Sequence, residues 1–257
     1  MCLLIVAFGV IPETPVLIGA NRDESLQRPT TLMTALSASR PRILGGRDEH
    51  SGGTWLAVNE YGVFGALTNQ PLGESKDLTK RTRGELPLAL ASQGDATTAA
   101  QHLVSTYHPE DYNGSWLVVG DRHHLYYIDF TGLVPVEAIA LVPGIHVFEN
   151  KARGVASGKV DRVHELIGDI GDDADAAVVT FQKTLGDHWI PDMFESSADL
   201  PKVVPCCVHL KEYGTRSSCI VRISQQTDVL PQLLVADGPP CTAPYEDDAR
   251  YWTADPT

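Results

Sequence analysis

With 257 residues, 43% of them hydrophobic, the chain can bury a large core as one domain, or at most two. Its 33 acidic residues against 20 Lys and Arg give a formal net charge of −13. That balance disfavours a nucleic-acid backbone or an anionic membrane surface as the main partner and favours a soluble cytoplasmic protein. No apolar run approaches the roughly 20 residues that cross a bilayer, and no basic segment precedes an apolar one at the start, so stable membrane insertion is not expected.

The chain opens on Met1, Cys2 and an apolar run to Val10 that reads as a buried strand. Removal of Met1 would leave Cys2 with both a thiol and a free α-amine, whose pKa of about 8 suits it to act as a base. The alternative is that Cys2 packs as a small buried residue, as most cysteines do. Pro12 and Pro15 frame a turn, and Val16–Ala20 returns as a partner strand into Asn21-Arg22-Asp23-Glu24. A hairpin of this kind sets Asn21–Asp23 beside the start of the first strand, hence beside Cys2. Read alone, the same polar tetrad is also a solvated turn.

Thr30–Pro41 reads as irregular, and Ile43–Arg47 leads to Asp48. Ser51-Gly52-Gly53-Thr54 approaches a strand at Trp55–Val58, and Val63–Thr68 is a further strand closed by Asn69, which is either a turn residue or an amide aimed at a site. Leu86–Ser92 and Ala96–Thr106 read as helices, the second with Asp95 as N-cap. Ser115–Gly120, His124–Phe130, Val134–Leu141 and Gly144–Phe148 form a meander that runs up to Glu149–Asn150. Helices follow at Ala156–Ile167 and Asp173–Leu185. Gly186–Gly214 is a proline-punctuated connection, read as a lid or insertion. Ser217–Ile223 and Leu230–Val235 form a last hairpin, and 238–257 is a polar tail expected to be loosely held. Strands and helices come in blocks, which indicates an α+β fold with antiparallel sheets in one domain over 1–237.

Five cysteines with no CxxC spacing read as reduced thiols. Neighbouring Cys206 and Cys207 are poorly placed to share one tetrahedral metal, and His123 and His124 would point to opposite faces of a strand. No metal ligands and no cofactor are therefore assigned from the sequence.

Cys2, the N-R-D-E of Asn21–Glu24, the S-G-G-T of Ser51–Thr54, Thr68–Asn69, the T-R-G-E of Thr82–Glu85, Gly120–Asp121 and the Y-G-T-R-S-S of Tyr213–Ser218 occur in order along the chain. Together they resemble the NRDE family, that of the Transport and Golgi organisation proteins. The resemblance implies an N-terminal nucleophile fold, a four-layer αββα sandwich of two antiparallel sheets. Through the choloylglycine hydrolases and penicillin V acylases that share this fold, it further implies Cys2 as nucleophile and base, with Arg22 and Asp23 orienting amine and thiolate. It also implies Asn69 as an oxyanion donor, Asn150 at the second Asn position and Arg216 as a late Arg near the nucleophile. Two functions follow as expectations. One is an amidohydrolase or acyltransferase that works on a small amide or acyl substrate through a Cys2 thioester. The other is a non-enzymatic carrier of haem or an acyl lipid, for which His123, His124 and His146 are candidate ligands; no C-x-x-C-H motif accompanies them.

Overall fold

A computed structural model of the protein describes residues 3–37, 39–71, 76–190, 205–247 and 249–253. Cys2, the central part of the expected 186–214 lid and the last four residues of the tail lie outside the described residues.

The first hairpin pairs β1 (Leu3–Ile11) with β2 (Thr14–Ser25) in the expected sense, Leu3 opposite Asn21. β2 is flanked on its other side by β11 (Tyr213–Ile223), which continues to β12 (Gln232–Ala236) and β13 (Tyr245–Asp247). β10 (Gly144–Glu149) closes the far edge, giving a six-stranded sheet in the order β10-β1-β2-β11-β12-β13. The second sheet is a seven-stranded meander. It runs from β3 (Thr30–Ala35), β4 (Ile43–Asp48), β5 (Leu56–Asn59) and β6 (Phe64–Asn69) to β7 (Ser115–Gly120), β8 (Leu125–Phe130) and β9 (Ala138–Ala140). Every pairing within the two sheets is antiparallel.

The apolar runs are continuous because the central strands are covered on both faces. Leu4, Val6 and Phe8 enter the core between the sheets, whereas Leu3, Ile5 and Ala7 pack outward with Phe181 and Leu185. The latter two belong to α4 (Ala174–Leu185), which lies with α3 (Gly158–Ile167) on the first sheet. On the other side α1 (Glu85–Ala91) and α2 (Ala96–Thr106) cover Leu117, Val119 and Ile128 of the meander. Asp95 caps α2 as expected, its carboxylate accepting from the Thr98 N–H. The result is the αββα sandwich.

Two expectations are corrected. Thr30–Ala35 is a strand, although Pro29 and Pro41 bracket the stretch, because β4 offers it a partner across a register shift. The tail is anchored at Tyr245 and Trp252. Trp252 is buried in the inter-sheet core and donates through Nε1 to the Pro231 carbonyl at 2.8 Å, and Tyr245 bonds Ser218 at 2.7 Å. An indole buried with its N–H satisfied contributes on the order of 3 kcal/mol.

Candidate active site

β1 begins, among the described residues, at Leu3, which pairs with Asn21 on one side and Glu149 on the other. The residues that follow these partners, Arg22 and Asn150, therefore flank the amino end of β1 on its two sides. Strand alternation divides the N-R-D-E tetrad between two faces. Ala20 packs between the sheets and so does Arg22, whose guanidinium lies 4.5 Å from the Trp55 ring centroid. Asn21 points to the α4 side and donates through Nδ2 to the carbonyls of Leu185 (2.9 Å) and Cys206 (2.8 Å). Asp23 shares that side and accepts from Thr215 Oγ1 at 2.6 Å.

Arg22 is 3% exposed and is held by Asp48 Oδ2 and Thr30 Oγ1, both at 3.1 Å. Burial lowers its pKa, partly opposed by the charges of Glu24 and Asp48. Asp48 also accepts from Arg28 Nε at 2.7 Å and from the N–H groups of His50 and Ser51. Burial pushes its carboxyl upward, but the bonds from Arg28 and Ser51 and the charges of both arginines outweigh this, leaving its pKa below the ordinary carboxylate value.

These groups form one wall of a cleft of about 510 Å³. The S-G-G-T and T-R-G-E segments also line it, joined by the Thr54 N–H bonding to the Gly84 carbonyl at 2.8 Å. Gly53 has φ +77°, and a Cβ there would fall inside the Gly84 backbone, so this close approach requires glycine. The join sets Arg83 in the cleft, where one Nη bonds the Gly114 carbonyl at 3.0 Å and burial lowers its pKa. Among the described residues, six cationic side chains line the cleft (Arg22, Arg28, Lys76, Lys80, Arg81, Arg83) against three carboxylates (Glu24, Asp48, Asp77), and Arg81 is further paired with Glu85 at 2.8 Å. A protein of net charge −13 thus carries a locally basic cleft.

Asn69 lines this cleft, and its carbonyl accepts from Asn150 Nδ2 at 2.6 Å, so the two expected Asn positions come together. Arg216 does not reach the cleft wall. It occupies the bulge of β11 and pairs with Asp237 at 3.1 Å, while its neighbour Thr215 is the residue that touches Asp23. Four buried polar atoms of this region have no hydrogen-bond partner among the described residues. Asn21 Oδ1 and Glu149 Oε1 flank Leu3, and Thr68 Oγ1 and Ser115 Oγ adjoin Asn69. Buried polar groups are rarely left so; of the four, Glu149 Oε1 has Lys151 Nζ at 3.9 Å.

Sequence reasoning missed Asp48, Trp55, Arg83 and Thr215. Two of them lie inside quoted motifs, T-R-G-E and Y-G-T-R, yet nothing local distinguishes a cleft arginine from a surface one. Away from the cleft lining, His188, Cys207, His209 and Cys241 bring four possible ligand atoms within 4.8 Å of one another. Cys207 meets the distant Cys241 there, which spacing along the chain could not reveal.

A family model described as Transport and Golgi organisation 2 matches residues 1–230. The Transport and Golgi organization 2 homolog of Mus musculus is 27% identical over 250 residues, covering 87% of this chain and 88% of that protein. The corresponding Homo sapiens protein is 28% identical over the same shares. Among solved structures, the Caenorhabditis elegans N-acylethanolamine-hydrolyzing acid amidase ortholog superposes with a TM-score of 0.57 at 11% identity, covering 89% of this chain and 94% of that one. A mutant conjugated bile acid hydrolase from Clostridium perfringens gives 0.51 at 10% identity, covering 96% of both chains. Both likenesses are of fold, that of the N-terminal nucleophile hydrolases. Among the described residues, no helix is long and apolar enough to cross a membrane.

Proposed function

The chain belongs to the Transport and Golgi organisation 2 family, and from that premise we propose that it is an N-terminal cysteine amidohydrolase or acyltransferase acting on a small substrate that carries an anionic group. One observation carries the reading: Asn21–Arg22, Glu149–Asn150 and Asn69 converge on the amino end of β1, beside a basic cleft of about 510 Å³. Cys2 is the residue bonded to that strand end and lies outside the described residues.

In this reading the Cys2 thiol attacks the substrate carbonyl and its own α-amine takes the proton. The amide C–N bond breaks, the amine product leaves with that proton, and water or a second acceptor cleaves the thioester. Arg22 favours the thiolate by its charge. Asp23, held by Thr215, orients the amine. Asn69 donates to the developing oxyanion, a contribution of about 3 kcal/mol, and Asn150 fixes the Asn69 backbone. Arg83 and the cleft lysines bind the anionic end of the substrate. Arg216 receives no step.

The test begins with the intact mass and N-terminal peptide of the purified protein. Loss of Met1 and a free Cys2 amine are expected. A panel of anionic N-acyl amides should then give a covalent acyl adduct on Cys2, with both adduct and turnover abolished in Cys2→Ala. Rates should rise as the amine deprotonates near pH 8. Retained Met1, an acetylated Cys2 or an acid optimum overturns the reading. Binding of haem or an acyl chain that survives Cys2→Ala would put the carrier function in its place.

A further inference from the structure

We propose that His188, Cys207, His209 and Cys241 form a structural site for one Zn2+. The separations carry this. Cys207 Sγ lies 3.8 Å from Cys241 Sγ and 3.5 Å from His209 Nε2, and His209 Nε2 lies 3.3 Å from Cys241 Sγ. Tetrahedral Zn2+, with bonds of about 2.3 Å to sulfur and about 2.0–2.1 Å to nitrogen, sets its ligands about 3.8 Å apart for two sulfurs and about 3.6 Å apart for sulfur and nitrogen. A ring nitrogen of His188 completes the set, all four ligand atoms lying within 4.8 Å of one another. A disulfide would need its sulfurs about 2.05 Å apart, so the two thiols stand at the distance of co-ligands and not of a bond.

The surroundings are those of a built site. His188 Nδ1 lies 3.2 Å from the Cys207 carbonyl, the kind of outer bond that fixes the ring of a metal-bound histidine. The Cys207 N–H bonds the Asp187 carbonyl at 3.0 Å, which locks the segment before His188 to the one holding Cys207. A turn closed by Thr242 and Ala243 N–H groups on the Pro239 carbonyl presents Cys241. His188, His209 and Cys241 are exposed, so apolar packing does not account for their convergence. Two thiolates and two imidazoles in a tetrahedron select zinc over harder cations, and four protein ligands leave no open position, which marks a structural and not a catalytic ion.

The ion would act on the fold through Val208, the residue between two of its ligands. Val208 N–H bonds Thr215 Oγ1 at 2.9 Å, and Thr215 in turn donates to Asp23. Cys206, the residue before the ligand Cys207, accepts from Asn21 Nδ2 through its carbonyl. A metal at this point ties the two ends of the 189–206 connection and the 238–247 tail to the end of β2, independently of any reaction there.

The test uses the full chain made without a histidine tag, stripped with a chelator under reducing conditions and titrated with Co2+ alone. One Co2+ per chain is expected, with the intense visible bands of a tetrahedral site and a thiolate charge-transfer band, both bleached by Zn2+; zinc should also be present in the protein as purified. Cys241→Ser and His209→Gln alter exposed positions, so the fold should survive; each should lose the spectrum, whereas His123→Gln should keep it. The proposal is overturned if the wild-type protein takes up no tetrahedral cobalt, if both ligand variants keep the spectrum, or if the unreduced protein carries a Cys207–Cys241 disulfide and no metal.

Discussion

Asp48 holds two of the cleft's arginines in place with one carboxylate: Arg22 at 3.1 Å and Arg28 at 2.7 Å on Oδ2, with the His50 and Ser51 N–H groups on Oδ1. Asp48→Asn keeps the shape but leaves the buried Arg22 guanidinium without its nearest counter-charge, a loss of about 2–3 kcal/mol near neutral pH. The pH dependence has a definite sign. Asp48 has its folded pKa depressed, so its stabilisation is present above the unfolded value of about 3.9 and is lost as pH falls through the folded value. Urea melts from about pH 7 down to about pH 3 should therefore show the wild type converging on the variant at the acid end. A constant gap would refute the assignment. Arg22→Lys should also fail to restore the cleft, because an ammonium cannot bond Asp48 and Thr30 while lying flat on Trp55.

Among the loops that build the cleft, the join between Gly53 and Gly84 is the most exacting. Gly52→Ala and Gly53→Ala face similar positive φ values, +69° and +77°, but Gly52 looks into open space while a Cβ on Gly53 would enter the Gly84 backbone. Gly52→Ala should cost about 1 kcal/mol from the left-handed conformation. Gly53→Ala should cost on the order of 3 kcal/mol and displace Arg83, since two backbones would have to part. Chemical denaturation of the pair measures the difference, and equal losses would count against the join. The same contrast explains what the sequence could and could not disclose. The β1–β2 hairpin and α2 with its Asp95 cap were legible because their signals are local: apolar runs, framing prolines and a capping carboxylate. The αββα layering followed from the order of blocks together with the family resemblance. β3 was hidden because its strand character comes from pairing with β4, and the tail because Trp252 docks against Pro231 and the inter-sheet core, which no pattern around Trp252 announces. Arg83 and Asp48 lie 35 residues apart and become one site only through folding.

At the scale of the whole molecule, an anion approaching this protein meets two opposing fields. The net charge of −13, spread over a body of about 20 Å radius, repels it by roughly 2–3 kcal/mol in unscreened water. Among the described residues the cleft's lining has an excess of three positive charges, or two once the Arg81–Glu85 pair is counted, which attracts it by roughly 1–2 kcal/mol at about 6 Å. At low ionic strength the repulsion is the larger of the two. At about 0.15 M salt the Debye length of about 8 Å cuts the repulsion to a little under 1 kcal/mol, since a sphere of this radius keeps about a third of its surface potential, and leaves nearly half of the cleft's attraction; at about 1 M both fall to a few tenths of a kcal/mol. Affinity for an anionic ligand should therefore rise from low to physiological salt instead of falling steadily. A dansyl-labelled fatty acid titrated into the protein tests this, with its methyl ester as the neutral control. The acid should bind better at physiological than at low salt, and Arg83→Gln, which removes a cleft cation that has no ion-pair partner among the described residues, should weaken it about tenfold, or 1.4 kcal/mol. The ester should respond to neither change. A monotonic fall for the acid, or an Arg83→Gln effect shared by the ester, would mean that the cleft's charge serves its own folding and not a ligand.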